Sequence, residues 1–373
     1  MDCTVSQKDI QKLLTRAQAV TDKRSTQPLL QTVLLDVSGD RLLVRATDLV
    51  LAVEGRVLAE TKQPGSIAVP ARELLDRVKL MPDGPLQMKA DGSNTLLIKA
   101  VGTPRWFKLP GVPGADFPTF PTPRADAPRL SVPAGTLALL LARTKFSLSP
   151  DDSRPNLNSA LFEWKDGVIR VVTTDGHRLS KIEMKSALDA PPTTFLLPAK
   201  AVGELEKLAA DAGAATITLI PSDPNAFFQV DEATLGVKLI DAAFPAYEKV
   251  IPSSSTKIAR IPRAQLDSAL QAVRLAASDK TGGVKLSLTR GSLRISGESV
   301  EAGEGEDEVP VDYDGADITM GFNAKYFHDV LAALPTLEEV SFGLSGELDP
   351  AVIRPVDDVE GCDYLAVIMP MRI

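Results

Sequence analysis

Apolar positions along the chain alternate between two periods. Over residues 6–20, Ile10, Leu13, Leu14 and Ala17 recur at helical spacing, and Ser6 is a candidate N-cap with Asp9 three residues on. Lys8, Lys12 and Arg16, four apart, form a separate basic stripe on the same helix. Similar helices are predicted over 133–145 and 262–277. In the latter, Leu266, Leu270 and Val273 form the apolar face, Arg263 and Arg274 lie outside it, and Pro262 suits the first turn. A second set of helices begins Val69-Pro70-Ala71-Arg72, Leu197-Pro198-Ala199-Lys200 and Phe322-Asn323-Ala324-Lys325. Between the helices, runs such as 95–99, 168–172 and 216–220 read as strands separated by Gly, Asn, Asp and Pro turns. Two helices and several antiparallel strands per stretch predict an α+β fold, with helices packed on one sheet face.

The elements recur at one period. The first helices start near 6, 133 and 262, spaced by 127 and 129 residues. The basic residues of the second helices, at 72, 200 and 325, are spaced by 128 and 125. Phe117-Pro118 and Phe244-Pro245 are 127 apart, as are Thr47-Asp48 and Thr174-Asp175. Such markers predict three similar domains of roughly 125 residues, and 373 residues exceed what one core normally serves. A Pro-rich stretch at 120–128 and a short polar one at 251–256 mark the boundaries, giving domains 1–126, 127–252 and 253–373.

Composition narrows the classes. At 44% hydrophobic and 24% charged, the chain is of ordinary globular type. No run approaches the ~18 apolar residues of a membrane span. The first residues lack a leader's basic and apolar regions, so a cytoplasmic location without membrane attachment is expected. Cys3 and Cys362 lie at opposite ends and form no disulfide framework. Two cysteines and two histidines leave little for zinc or copper, and neither metal nor cofactor is expected. A net charge of −8 argues against coating DNA with the whole surface, though not against one basic face. The segment 298–308 carries six carboxylates and reads as a solvated loop or an edge strand turned away from DNA.

Arg72, Lys200 and Lys325 each sit near a helix N-terminus, against the macrodipole. A common anionic partner would account for that; chance within duplicated domains is the competing account. Nothing resembles a recognition helix or zinc finger, so any DNA contact would be independent of sequence. The strand at 168–172 runs into Thr174-Asp175-Gly176-His177-Arg178-Leu179, where Asp-Gly marks a turn. Taken alone, it is a hairpin with a solvated tip. Thr174, Asp175 and His177 hold the residue types of a nucleophile, acid and base, but neighbours in sequence rarely form that chain of hydrogen bonds. Neither a G-x-S-x-G elbow nor a phosphate-binding P-loop occurs, so no catalytic residues are assigned.

That turn resembles the Thr-Asp-Gly-His-Arg-Leu signature of the bacterial replicative sliding clamp, the DNA polymerase III β subunit. The last residues, Val367-Ile368-Met369-Pro370-Met371-Arg372-Ile373, resemble that family's C-terminal tail. The resemblance implies the DNA clamp fold: three similar domains per chain, each with two helices on antiparallel sheet. It also implies a homodimer closed head to tail into a ring around double-stranded DNA, with helices lining the hole. The ring is opened by an ATP-driven clamp loader, and it tethers the replicative polymerase and other clients at the nucleoid without catalysing anything itself.

The resemblance also implies site residues. Lys8, Lys12, Arg16, Arg72, Lys200 and Lys325 would face the hole or its rim, with Arg24 and Arg154 in DNA-contacting loops. Phe107 and Leu109 of one subunit would meet Leu275 and Ala276 of the other. Alternation independently puts Phe107 and Leu109 on one strand face, and simple core is their alternative reading. The client-peptide pocket would be formed by Leu157, Thr174, Gly176, His177, Arg178, Leu179, Pro245, Lys249, Val250, Thr281, Asn323, Tyr326, Leu348, Pro350 and the tail Val367, Ile368, Met369, Pro370, Met371 and Arg372. An apolar wall with a few orienting polar groups suits a peptide carrying glutamine and large apolar residues, and methionines adapt to several clients. Lys249 stands where arginine is common and so lacks the planar donor fork; Thr281 stands where some members have phenylalanine. Two other readings remain at this point: a clamp paralogue with altered client or inhibitor binding, and a duplicated α+β enzyme using the 174–178 turn. On the clamp reading, His177→Ala combined with Arg178→Ala weakens client-peptide binding and leaves the oligomer intact. Peptide titration beside light scattering checks both halves.

Overall fold

The structure, a computed structural model, describes residues 1–21, 25–186, 191–278 and 281–372. Each third of the chain follows one order: a strand, a helix, four strands, a helix, three strands. The first repeat runs Asp2–Ser6, α1 (Gln7–Val20), Thr32–Ser38, Arg41–Thr47, Leu51–Gln63, Gly65–Pro70, α2 (Ala71–Lys79), Pro85–Ala90, Thr95–Ala100 and Trp106–Pro110. The second runs Leu130–Pro133, α3 (Ala134–Ala142), Ser159–Lys165, Val168–Thr174, Arg178–Lys185, Thr193–Pro198, α4 (Ala199–Ala212), Thr216–Ser222, Asn225–Val230 and Ala233–Lys238. The third runs Lys257–Pro262, α5 (Arg263–Val273), Gly283–Thr289, Ser292–Ser299, Gly303–Pro310, Ile318–Asn323, α6 (Ala324–Ala332), Glu339–Leu344, Ala351–Pro355 and Cys362–Ile368. The expected α+β repeat is therefore present three times.

The helix starts follow the sequence closely. Ser6 caps α1 by accepting the Asp9 N–H at 3.4 Å. Two helices end sooner than periodicity predicts. After α3, the Thr144 hydroxyl bonds back to the Leu140 carbonyl at 2.7 Å, and residues 145–147 form a tighter 3-10 turn. After α5, the N–H groups of Leu275, Ala276 and Ala277 bond three residues back, at 3.3, 2.9 and 3.2 Å. Apolar periodicity persists through such turns, so it cannot mark where the helical bonding stops.

Contacts group the chain into two compact units, Met1–Gly135 with Lys207–Leu239, and Thr136–Glu206 with Ile240–Ile373. The middle repeat contributes to both, because its two sheets are continued by different neighbours. Ala233–Lys238 pairs antiparallel with Leu51–Gln63 in the first unit. Arg178–Lys185 pairs antiparallel with Cys362–Ile368 in the second. One rule covers both junctions: the eighth strand of one repeat pairs with the fourth strand of the repeat before it. Each unit also keeps a strand of these two kinds paired on one side only, Trp106–Pro110 against Thr95–Ala100 and Gly303–Pro310 against Ser292–Ser299. The latter carries Glu304, Glu306, Asp307 and Glu308, four of the six carboxylates of the acidic 298–308 segment, while Glu298 lies near the end of the neighbouring strand and Glu301 in the turn; the edge carboxylates deter indiscriminate pairing.

In the first unit, α1 buries Ile10, Leu13, Leu14 and Ala17, and α2 buries Leu74, Leu75 and Val78, in one core with Val33, Leu35, Val44, Leu86 and Ile98. In the second unit, Phe322, Phe327 and Phe342 meet edge to face, with centroids 5.2–6.4 Å apart, where α6 lies on its sheet. Asp267 of α5 and His328 of α6 join at 2.7 Å. Phe327→Ala leaves a cavity in this cluster and is expected to cost about 3–5 kcal/mol, read as a lower urea midpoint in wild-type and variant unfolding curves.

Candidate functional site: the 174–178 turn and its supports

The turn is built from short polar side chains that replace missing backbone partners. The Thr174 hydroxyl donates to the Arg178 carbonyl at 2.7 Å and accepts the Gly176 N–H at 3.1 Å. The Asp175 carboxylate accepts the N–H groups of His177 and Arg178 at 2.9 and 3.0 Å. Gly176 has φ +92, which a Cβ would oppose. Gly176 and His177 are exposed, while Thr174, Asp175, Arg178 and Leu179 are buried. The first repeat carries the same construction: Thr47 donates to the Leu51 carbonyl and accepts the Leu49 N–H, and Asp48 accepts from Val50 and Leu51. Leu49, at φ +73, occupies the place of Gly176. The Thr174 and Asp175 side chains are thus spent on their own backbone and on Arg178, which removes the geometric case for a nucleophile and acid at this turn.

Arg178 differs most from its sequence reading. It is not an orienting group at the pocket surface: its side chain is 7% exposed. Nε donates to Asp175 at 3.0 Å, one terminal nitrogen donates to Asp329 at 2.6 Å, and the other donates to the Phe146 carbonyl at 2.5 Å. The guanidinium also lies 4.6 Å from the Tyr326 ring and 5.5 Å from the Phe146 ring. Burial alone would raise the Asp329 carboxyl, but bonds from Lys325 and Arg178 outweigh it and hold the group below the ordinary carboxylate range. Burial likewise raises the Tyr326 phenol, with Asp175 adding to it.

The C-terminal tail closes over this arrangement. Arg178 and Leu179 pair with Ile368 and Val367. The Met369 N–H bonds the His177 carbonyl at 2.9 Å, and the Met371 N–H bonds the Gly321 carbonyl at 2.9 Å. Asn323 caps α6 at Lys325 and donates to the Thr281 carbonyl at 3.0 Å. Val367 and Leu179 share an apolar cluster with Leu161, Val172, Tyr247 and Val352, against which Phe244 and Ile251 pack. Tyr247 brings the loop of Pro245, Lys249 and Val250 to this cluster, its own N–H bonding the Pro245 carbonyl at 2.7 Å. Pro350 precedes Ala351, which pairs with Ile368. Leu157 is half-buried; Lys249, Thr281, Leu348 and Arg372 are exposed. Val367 and Ile368 are 1% and 0% exposed, so they support the wall rather than face a ligand. Met369, Pro370 and Met371 are half-exposed and form its accessible part. Asp329 and Phe146 were missed from the sequence. Asp329 stood four residues after Lys325, a spacing that signals only a surface pair.

Five of the eight expected DNA-facing cations already hold carboxylates: Lys8 to Asp83, Arg16 to Asp211, Arg72 to Asp76, Arg154 to Asp151 and Lys325 to Asp329. Lys12 has no such partner among the described residues, Lys200 makes an interaction of its own, and Arg24 lies outside the described residues. The pairs of Lys8, Arg72 and Arg154 are exposed on both sides and contribute only about 0–1 kcal/mol each, so a phosphate can compete for those cations. Of the expected subunit contacts, Leu275 is 77% exposed and Phe107 half-buried, but Leu109 and Ala276 are covered by their own chain. Leu109 belongs to the first unit's core, the alternative its strand position left open.

A chain of three clamp repeats, with a polar turn locked beneath a C-terminal tail, has the architecture of a DNA clamp. Three family models match it: DNA polymerase III beta subunit N-terminal domain over residues 1–121, central domain over 131–246 and C-terminal domain over 248–372. The beta sliding clamps of Caulobacter vibrioides and Pseudomonas aeruginosa are each 33% identical over the whole of both chains. Crystal structures of the Pseudomonas aeruginosa sliding clamp superpose with TM-scores of 0.93 with a ligand and 0.94 bound to griselimycin, at 32% identity and full coverage. The chain belongs to the DNA polymerase III beta subunit family, the bacterial sliding clamps. Its role is that of a replicative processivity factor. No helix among the described residues is long and apolar enough to cross a membrane.

Arg178→Ala takes the cation from buried Asp175, leaves part-buried Asp329 to Lys325 alone, and is expected to cost about 3–5 kcal/mol, whereas exposed His177→Ala stays within about 0.5 kcal/mol. Because the folded Asp329 carboxyl is depressed, its stabilisation is complete above its unfolded value near ~4 and fades as pH falls through the folded one. The stability gap between wild type and Asp329→Asn should therefore narrow below about pH 4, as urea titrations across pH would show.

Proposed function

We propose that this clamp acts as a head-to-tail homodimeric ring that encircles double-stranded DNA without reading its sequence. On this reading an ATP-driven clamp loader opens the ring. The replicative polymerase and other clients dock a short peptide on the exposed tip of the 174–178 turn, the Pro245–Val250 loop and the Met369–Met371 tail, in the cytoplasm and at the nucleoid. The chain itself performs no catalysis. Domains 1–126, 127–252 and 253–373 are the repeating bodies of that ring.

The strand-pairing rule carries the reading. Eighth strands pair with fourth strands at both internal junctions. The one eighth strand left over, Trp106–Pro110, and the one fourth strand left over, Gly303–Pro310, lack that partner among the described residues. Continuing the rule from chain to chain pairs them and leaves neither of these edges open after two chains. Their charges fit: Arg105 and Lys108 flank or lie on the first strand, while Glu304, Glu306, Asp307 and Glu308 line the second. Exposed Leu275 and half-buried Phe107 supply apolar area beside them.

Lys108→Glu should shift the dimer toward monomer, and Glu306→Lys in the same chain should recover part of the loss; light scattering at low and high salt reads both. Topology is tested separately. The protein is loaded with its loader and ATP onto nicked circular plasmid and washed in high salt, and half the sample is then cut. Retention on circles with loss from linear DNA is expected, because salt removes phosphate contacts but not linkage. Equal loss from both, while a known clamp in parallel stays on circles, would overturn the ring.

A further inference from the structure

Asp329 holds two cations with one oxygen. Its Oδ2 accepts from Arg178 at 2.6 Å and from the Lys325 ammonium at 2.6 Å. The two cations differ in setting. Arg178 is 7% exposed and belongs to the turn, whereas Lys325 is 63% exposed on the first turn of α6. The link continues inward. Arg178 Nε holds Asp175 Oδ2, and Asp175 Oδ1 holds the N–H groups of His177 and Arg178. Four residues therefore connect a solvent-facing ammonium to the backbone of the exposed turn tip, and each step is a charged hydrogen bond or ion pair of 3.0 Å or less.

We propose that Asp329 is a positioning residue through which a phosphate on Lys325 tightens client-peptide binding at the 174–178 turn. Two cations on one oxygen divide its charge between them. A DNA phosphate that takes Lys325 leaves Asp329 to Arg178 alone, which draws the guanidinium and Asp175 into one fixed arrangement. A turn already ordered spends less of the peptide's binding energy on ordering. Because Lys325 is mostly solvated, the coupling is small. By reciprocity, a bound peptide raises affinity for DNA by the same factor. The device couples a ring on DNA to its clients without any large movement.

The inference rests on the turn being the client site, so that reading is tested in the same titration. A labelled peptide carrying glutamine and large apolar residues is titrated into the full chain, with and without a short blunt duplex. Wild type, His177→Ala, Lys325→Met, Asp329→Asn and the Lys325→Met/Asp329→Asn double variant are compared. Lys325→Met removes only an exposed group and keeps the test usable if Asp329→Asn folds poorly. Duplex should tighten peptide binding about 2–5-fold in wild type, a modest allosteric coupling. Lys325→Met without DNA should match duplex-bound wild type and gain nothing further from duplex. Asp329→Asn should abolish the effect of Lys325→Met, the signature of a pair rather than of two separate structural losses. No gain from duplex in wild type, or an equal gain in Lys325→Met, would overturn the inference. Peptide binding unmoved by His177→Ala would instead remove the site reading, and the inference with it.

Discussion

Two arginines of the second unit are buried among the described residues, Arg143 and Arg178, and the candidate site is arranged around the latter. An arginine taken out of water is costly unless its donors are satisfied and its charge is met. Arg178 achieves this by drawing on a turn, the carbonyl after α3, and α6, and by stacking between Phe146 and Tyr326. Those partners come from segments far apart in sequence, so the guanidinium fixes their mutual placement in a way that non-directional apolar packing could not. The exposed surface of the site then follows. With Arg178 held below, Gly176 and His177 are left at the tip, and the Met369 N–H can reach the His177 carbonyl. The tail is thus positioned by backbone bonds to either side of it, at 177 and at 321, and its half-exposed methionines sit on a fixed base.

Much of the fold was legible in the sequence, for a physical reason. Duplicated domains repeat their turn chemistry, and turn chemistry is local. The Thr-Asp pairs at 47 and 174 sit 127 apart because each builds the same turn, with the hydroxyl and carboxylate in the same roles. Leu49 shows how strongly the framework holds: it keeps a left-handed backbone that costs a non-glycine residue roughly 1–2 kcal/mol. What the sequence concealed was non-local. Beside a solvated histidine in a turn, Arg178 reads as another surface group, and its partner Asp329 lies 151 residues downstream. Phe107 and Leu109 were correctly put on one strand face, but whether that face meets another subunit or its own helices depends on the layer above it. For Leu109 that layer is its own core.

The charge pattern explains how so acidic a chain can work on DNA. Most of the expected DNA-facing cations are already engaged by carboxylates, at separations of 2.6–3.8 Å. For the three pairs exposed on both sides, those of Lys8, Arg72 and Arg154, exchanging the carboxylate for a phosphate changes the energy little in either direction. Contacts of that kind hold DNA loosely and let it move, which is what sliding requires, but they cannot supply long residence at physiological salt. Residence has to come from closure. Closure in turn needs two edges that recognise each other and avoid indiscriminate partners. In the ring proposed above, a cationic strand end beside Trp106 and an acidic strand at 303–310 would meet both demands: like edges repel, and unlike edges attract. On the proposed pairing, the carboxylates at 303–310 serve the ring rather than oppose its task. Net charge is then a poor guide to DNA binding whenever the grip on DNA is topological.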